Sequence, residues 1–162
     1  MPCVACAQDP ETHSFEELGQ NRQGHIFYTS YKSIKDHTNA AAISAHIVER
    51  LDFISGGPWI WMIDCKFVQA KHMVQIGVAI KLLEMLRFKY GDSLMAIYLI
   101  NSGTVIQTAI SALSPFITKE FSEKIYKIQG TPLELLMVLT KQYGWTQADA
   151  DPLIRRTMKD YA

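Results

Sequence analysis

The sequence lacks an excess of charge of either sign, since its 162 residues include 16 basic and 16 acidic side chains. A neutral chain creates no long-range field that would draw it onto a phosphate backbone, so we expect no nucleic-acid partner. It also lacks a G-x-G-x-x-G or P-loop pattern, which leaves nucleotide binding without direct support. No serine lies in a G-x-S-x-G elbow, so a hydrolase has no support either.

Cysteine is scarce and odd in number, with Cys3, Cys6 and Cys65 as the whole set. Dense, even sets mark small secreted scaffolds, so these three are predicted to be reduced thiols. Cys3-x-x-Cys6 has the spacing of a redox pair or half a zinc site, but no strand can precede it. Only His13 and Cys65 are candidates for two further zinc ligands, without a second paired spacing. The prediction is therefore no metal and a flexible reduced arm.

Long hydrophobic runs are also missing. Residues 1–20 lack the positive start and apolar centre of a signal peptide. Residues 93–118 contain no charged side chain, but Asn101-Ser102-Gly103 breaks the run into pieces shorter than the roughly 20 residues that cross a bilayer. We therefore expect a cytoplasmic protein, at most peripheral to membranes.

The apolar segments that are present alternate between strand and helix patterns. Residues 1–23 are polar and mixed, predicting an N-terminal arm with at most one short helix around residues 14–18, before a single domain over residues 24–162. Strands are predicted over residues 25–31, 59–63 and 94–100. Helices are predicted over residues 40–53, 72–90, 105–113, 133–143 and 149–161. This order indicates an α/β fold, a mostly parallel β-sheet flanked by helices.

Two features of the predicted fold are candidates for a functional site. Asp64 ends the second predicted strand at the carboxyl edge, where open α/β sheets bind ligands, and Lys66, Lys71 and His72 follow it. A loop carboxylate that accepts backbone hydrogen bonds is the simpler interpretation of Asp64. The other feature is a surplus of apolar helix surface, which either fills an ordinary core or lines a cavity or partner surface.

That surplus includes a predicted amphipathic helix after Ser114-Pro115. It places Ile117, Phe121, Ile125 and Ile128 on one side, with Thr118 as its cap. Its final turn has an alternative as a strand over residues 125–128.

Several motifs resemble the CRAL-TRIO, or Sec14-like, lipid-binding domain. They are the strand Trp59-Ile60-Trp61-Met62-Ile63-Asp64, the turn Tyr90-Gly91-Asp92, the strand end Ile97-Tyr98-Leu99-Ile100-Asn101 and the segment Ser114-Pro115-Phe116-Ile117. The stretch from Pro115 to Leu135 is closer to the divergent BCH-like branch. Departures are the missing N-terminal helical bundle, the lost proline and aromatic after Asn101, and the partial match of Tyr143-Gly144-Trp145 to a late Tyr-Gly-Gly ending.

The resemblance implies a binding protein without catalytic residues or cofactors, which holds a lipid or other hydrophobic small molecule in a pocket between the sheet and a lid helix over residues 115–125. The implied lid would meet a membrane surface transiently when open. Which face of the second strand forms the floor stays open, since Ile60 and Met62 alternate with the tryptophans. The implied lipid-binding residues are Trp59, Trp61, Ile63, Ile97, Leu99, Phe116, Ile117, Phe121 and Ile125.

Two other functions compete with lipid binding. The BCH-like branch implies an interaction scaffold with a collapsed pocket, which would bind a GTPase or form a homodimer. A weaker hypothesis is an enzyme that uses Asp64 and the Lys/His residues after it.

Overall fold

The computed structural model describes residues 3–32, 34–36, 38–73, 82 and 84–162. Its five strands form one sheet in the order β1-β2-β3-β4-β5. The strand bounds are β1 Glu16–Asn21, β2 Gly24–Ser30, β3 Trp59–Asp64, β4 Leu94–Ile100 and β5 Ile125–Ile128. β1 is antiparallel to β2, and β2 to β5 are parallel. The predicted α/β fold with a mostly parallel sheet is confirmed.

The helices are α1 Val4–Gln8, α2 Ala40–Phe53, α3 Ala70–Met73, α4 Thr104–Leu113, α5 Lys119–Ser122, α6 Pro132–Gln142 and α7 Gln147–Tyr161. A π-helical turn, Leu86–Tyr90, precedes β4, and a 3₁₀ turn, Ser114–Phe116, follows α4. Their ends follow capping chemistry: Asn39 Oδ1 accepts a hydrogen bond from the Ala42 amide at 3.1 Å, and Thr146 and Asp149 form a reciprocal capping box on α7.

The strand order determines which helices cover which face. Because the parallel strands follow one another in sequence, each right-handed crossover moves in the same direction and leaves its helix on the same side. α2 and α4 pack on that side through Ile47, Leu51 and Ile106. α6 and α7 pack on the opposite side through Leu135, Leu139 and Leu153. We call the α6/α7 side the closed face.

The N-terminal segment differs from the prediction. Residues 16–21 form β1 on the edge of the sheet, so the predicted helix around residues 14–18 is wrong. The segment Glu16-Glu17-Leu18-Gly19-Gln20-Asn21 is poor in strand-forming residues, and a register shift between Glu17 and Gly19 interrupts its pairing. Tertiary pairing with β2 overrides this weak propensity. The division of the chain at residue 24 stays a prediction.

The predicted amphipathic helix over residues 115–125 is also wrong. A 3₁₀ turn and the four-residue α5 occupy most of it, and the alternative strand over residues 125–128 is confirmed as β5. Thr118 does cap a helix, since its Oγ1 accepts a hydrogen bond from the Phe121 amide at 3.2 Å. Glu123 ends that helix after one turn, because Ile125 pairs in register with Ile97 of β4.

About half of the helix predicted over residues 72–90 lies outside the described residues. α3 occupies its start and the π-helical turn its end. Residues 74–81 and 83, which include the predicted apolar positions Val74, Ile76, Val78, Ile80 and Leu83, are not among those described. Within the described part of the chain, every helix is too short or too polar to cross a bilayer.

Candidate functional site

The alternation of side chains along β3 separates its apolar residues into two sets. Ile60 and Met62 are fully buried against the closed face. Trp59, Trp61 and Ile63 belong to the opposite side, with Ile97 and Leu99 of β4 beside them. The two tryptophans, and not Ile60 and Met62, therefore share a face with Ile97 and Leu99.

A cluster of aromatic rings marks that side of the sheet, which we call the aromatic face and define by Phe15, Phe27, Trp59 and Trp61. Phe15 stacks on Phe27 with ring centroids 4.6 Å apart and an interplanar angle of 4°. Its ring also meets Trp59 at 5.9 Å and Trp61 at 5.6 Å in edge-to-face geometry. Phe15 precedes β1 in the polar N-terminal segment, so the sequence offered no periodic signal for it.

The indole nitrogens of the aromatic face are held by internal acceptors. Trp61 Nε1 donates to Thr29 Oγ1 at 2.8 Å, and Thr29 Oγ1 donates to the Ser14 carbonyl at 2.7 Å. Trp59 Nε1 donates to Ser93 Oγ at 3.2 Å. With these polar atoms satisfied, the four rings form an apolar layer that the rest of the chain already buries, since none of them is more than 9 % exposed.

The nine predicted ligand residues separate into three groups. Trp59, Trp61, Ile97 and Leu99 are buried on the sheet, and Ile63 beside them is only partly buried. Ile125 lies on β5 as part of the sheet floor, which corrects its assignment to the lid. Phe121 of α5 packs against the same apolar cluster, and Ile117 is partly buried. Phe116 lies outside that cluster and is exposed.

Three phenylalanine side chains are more than half exposed. Phe53 is 91 % exposed, Phe88 83 % and Phe116 53 %. Each one precedes a parallel strand: Phe53 ends α2 before β3, Phe88 lies in the turn before β4, and Phe116 lies in the turn before α5 and β5. Because parallel strands begin at the same edge of a sheet, these rings lie toward the amino edge. Sequence reasoning selected only Phe116 of the three.

Asp64 lies at the carboxyl edge but is enclosed by donors of its own chain. Its carboxylate accepts hydrogen bonds from Tyr28 Oη at 2.8 Å, Tyr161 Oη at 2.9 Å and the Lys66 amide at 3.1 Å. Tyr28 Oη also lies 3.1 Å from Asp160 of α7. Burial raises the pKa of Asp64 against the opposing effect of these donors. The fully buried carboxylate ends β3 and connects it to β2 and α7. It is not the loop carboxylate of the simpler interpretation, and of its three donors only the Lys66 amide is a backbone group.

The basic residues after Asp64 lie in different surroundings. Lys66 Nζ lies 3.9 Å from the centre of the Tyr161 ring. His72 is buried, with Nδ1 2.8 Å from the Gln69 amide. Lys71 is exposed on α3.

The three cysteines occupy two different environments. Cys65 is buried beside the aromatic face, where burial and the nearby Asp64 charge raise the pKa of its thiol to about 12. Cys3 and Cys6 lie near His13 and His46, and the four potential ligand atoms are within 4.8 Å of one another. His13 is thus a neighbour of Cys3 and Cys6, as expected, whereas the expectation of Cys65 is wrong, because α2 supplies His46 instead.

Comparisons with known proteins agree with this architecture. The sequence profile of the divergent CRAL/TRIO domain family matches residues 23–139. Among the solved structures that match is the crystal structure of Sfh5, with a TM-score of 0.59 and 13 % identity. The match covers 78 % of this chain and 50 % of that chain, so this chain corresponds to about half of the longer protein. No curated protein matches the sequence.

Proposed function

This chain belongs to the divergent CRAL/TRIO family, a class of lipid-binding domains, and from that membership we propose that it holds one lipid or other hydrophobic small molecule against the aromatic face and transfers it between membranes. It does so as a cytoplasmic protein peripheral to membranes, without catalysis. The observation that carries the proposal is that Ile63, Phe121 and Ile125 remain partly exposed on the side that also holds Trp61.

Enclosure of hydrocarbon supplies the free energy for binding. Removing apolar area from water contributes about 25 cal/mol per Å², or about 0.8 kcal/mol for each buried CH₂ group. An acyl chain that lies along Trp61, Ile63, Leu99 and Ile125 gains this contribution from side chains that the sheet already holds in place.

The cover over the ligand is the segment from Ser114 to Ser122, and it acts as the lid. Its helical parts are a 3₁₀ turn of three residues and one four-residue helix, elements too short to be stable by themselves. Phe121 contacts the apolar cluster while Phe116 points to solvent. Movement of this segment opens the aromatic face without breaking the sheet, since β5 begins only at Ile125.

The exposed edge supplies the contact with a membrane. Phe53, Phe88 and Phe116 present aromatic rings there, and Arg87 and Lys89 flank Phe88. Aromatic rings prefer the headgroup level of a bilayer, and basic side chains are attracted to anionic lipids. The lid and this edge share Phe116, so docking and opening involve the same segment.

The test of ligand binding uses the three tryptophans of the chain as position markers. Trp145 packs in the closed face, edge-on to Tyr98 at 5.9 Å, on the side opposite to Trp61. We would compare the variant Trp59→Phe/Trp145→Phe, which retains Trp61, with Trp59→Phe/Trp61→Phe, which retains Trp145. Both are incubated with vesicles of phosphatidylcholine brominated in its acyl chains and then re-isolated.

The brominated chain quenches the fluorescence of Trp61 and leaves that of Trp145 unchanged if the ligand occupies the aromatic face. Equal quenching of both tryptophans, or quenching of neither in a folded protein, would contradict the proposal. The wild-type chain, freed of vesicles, should carry the brominated lipid in an organic extract, which provides a readout that does not depend on the substitutions.

The scaffold interpretation competes with this proposal and rests on the same exposed phenylalanines, which could cover a protein instead of a bilayer. It predicts a stable homodimer in sedimentation, or retention of the chain on an immobilised Rho-type GTPase. Either result, together with no lipid in the extract, favours the interaction module over the carrier.

A further inference from the structure

Four metal-ligating side chains converge between the N-terminal segment and α2, away from the aromatic face. Cys3 and Cys6 flank the start of α1, His13 follows it, and His46 projects from the middle of α2. His13 is 7 % exposed and His46 4 %. We propose that this cluster binds one Zn²⁺ ion through four side chains, Cys3, Cys6, His13 and His46.

Three of the six distances between the ligand atoms match a tetrahedral site, and all six are within 4.8 Å. His13 Nδ1 lies 3.5 Å from Cys3 Sγ and 3.6 Å from Cys6 Sγ, and His46 Nδ1 lies 3.5 Å from Cys6 Sγ. Zinc bonds of about 2.3 Å to sulfur and about 2.05 Å to nitrogen, at a tetrahedral angle, place such a pair about 3.6 Å apart. The three measured separations therefore need little adjustment around a zinc ion.

Outer hydrogen bonds direct the correct nitrogen of each imidazole into the cluster. His13 Nε2 lies 2.8 Å from Asp36 Oδ2, and His46 Nε2 lies 3.3 Å from the Phe15 carbonyl oxygen. An N–H on each Nε2 satisfies these acceptors and leaves the Nδ1 lone pair for a metal. Carboxylate and carbonyl partners of this kind orient histidine ligands in metal sites.

The donor set identifies both the metal and its role. Two thiolates and two imidazoles in a tetrahedral arrangement suit zinc, and four protein ligands leave no position for a substrate or a reactive water. The site is therefore structural. Two clefts provide entry for the ion. One, of about 540 Å³, is lined by Cys6 and His46, and the other, of about 1150 Å³, by Cys3 and His46.

The zinc ion would attach the N-terminal segment to the domain. Cys3, Cys6 and His13 precede residue 23, where the family profile begins, whereas His46 lies within the matched part. His46 is also hydrogen-bonded to the Phe15 carbonyl oxygen. A zinc ion bound to His46 would therefore fix the position of Phe15, whose ring stacks on Phe27.

The test measures metal in the full chain, purified with reductant from zinc-supplemented cells. We expect about one zinc per chain, and addition of Co²⁺ to the metal-free chain should produce the visible absorption of tetrahedral cobalt with a thiolate-to-metal band. Cys6→Ser and His46→Gln should each weaken metal affinity by at least about tenfold, and Asp36→Asn by about 10–100-fold. Cys65→Ser is the matched control and should retain a full equivalent.

Measurements on the wild-type protein alone can overturn the proposal, even if the variants fail to fold. A reduced, folded chain that contains no zinc and shows no tetrahedral Co²⁺ spectrum would mean that the four groups form only thiol–imidazole hydrogen bonds. Equal loss of metal in Cys65→Ser would also contradict the assignment. Chelation should lower the melting temperature of the wild-type chain and not that of Cys6→Ser.

Discussion

The two faces of one sheet are built from alternate residues of the same strands, yet they are covered differently. On the closed face, Tyr28, Ile60, Met62 and Ile100 are fully buried, and Leu135 and Leu139 of α6 lie against this core with no exposed surface. On the opposite side, Ile63, Phe121 and Ile125 remain partly exposed. Both sides therefore hold a buried core, and the difference is one of degree: on β3 and β4 no apolar side chain of the closed-face core is more than 3 % exposed, whereas Trp61 and Leu99 are 9 % and 7 % exposed and Ile63 more so.

Burial and function therefore differ between the two faces of the sheet and not between segments of the sequence. β3 contributes Ile60 and Met62 to stability and Trp61 and Ile63 to the candidate site, within a single run of six residues. Substitutions on the closed face should therefore change only the free energy of unfolding, and those at partly exposed positions of the other face should also change ligand binding.

The largest effect is expected on the closed face. Leu135→Ala removes a side chain with no exposed surface and should lower the free energy of unfolding by about 2–5 kcal/mol, because it leaves a cavity between the sheet and α6. Leu133→Ala, on the same helix but exposed, is the matched control and should change it by less than about 0.5 kcal/mol. Urea denaturation measures both. Similar losses at the two positions would show that α6 does not close this face.

Removal of the buried carboxylate should have the next largest effect. Asp64→Ala leaves the Lys66 amide and the Tyr161 hydroxyl without their acceptor and should cost about 1–3 kcal/mol, measured by the same denaturation. Asp151→Ala, which removes an exposed i,i+4 pair with Arg155, is the control and should cost less than about 1 kcal/mol.

The contribution of Asp64 to stability should also depend on pH. Since burial raises the pKa of Asp64 in the folded chain above its usual 3.8, the folded state binds this proton more tightly than the unfolded state. The stability difference between wild type and Asp64→Ala should therefore be largest below pH 3.8 and decrease as pH rises through the folded pKa. A difference that grows over this interval would contradict the direction of the shift.

The exposed amino edge should control membrane association more than stability. Phe53→Ser/Phe88→Ser should weaken binding to anionic vesicles by about tenfold or more, because two rings no longer enter the interface. Leu133→Ser/Met158→Ser removes two exposed apolar side chains from α6 and α7 and serves as the control. Vesicle flotation compares the two, and an equal loss of binding would remove the special role of this edge.

The smallest effect is expected at the lid. Phe121→Ala should cost at most about 1 kcal/mol of stability because the ring is only partly buried. Loss of about 30 Å² of ligand contact at about 25 cal/mol per Å² should weaken lipid affinity about threefold. Fluorescence titration with a labelled lipid measures this change. Unchanged lipid affinity would show that Phe121 of α5 does not contact the ligand.

The sequence predicted the parallel part of the sheet because its strands have a strong local signal. The predicted bounds 94–100 match β4, and those of 25–31 and 59–63 differ from β2 and β3 by about one residue. Asn39 and Thr118 were recognisable as caps because a side-chain oxygen before an apolar run satisfies free helix amides. The family resemblance is also confirmed, since the profile match includes these strands.

The features that the sequence did not predict depend on contacts between residues that are far apart in the sequence. Phe15 and β1 lie in a polar segment whose structure comes from pairing with β2, and His46 reaches Cys6 across 40 positions of the sequence. The lid helix was inferred from the helical spacing of Ile117, Phe121 and Ile125, but pairing of Ile125 with Ile97 converts its last turn into a strand. Short apolar runs carry both periodicities, and tertiary pairing selects between them.

Native mass spectrometry of the chain, purified from cells without detergent, is the decisive test of lipid binding. We expect a species heavier than the polypeptide and its metal by the mass of one lipid-sized molecule, which collisional activation releases and organic extraction removes. Spectra that contain only the polypeptide mass, with or without a metal ion, from protein that also takes up nothing from vesicles, would contradict it.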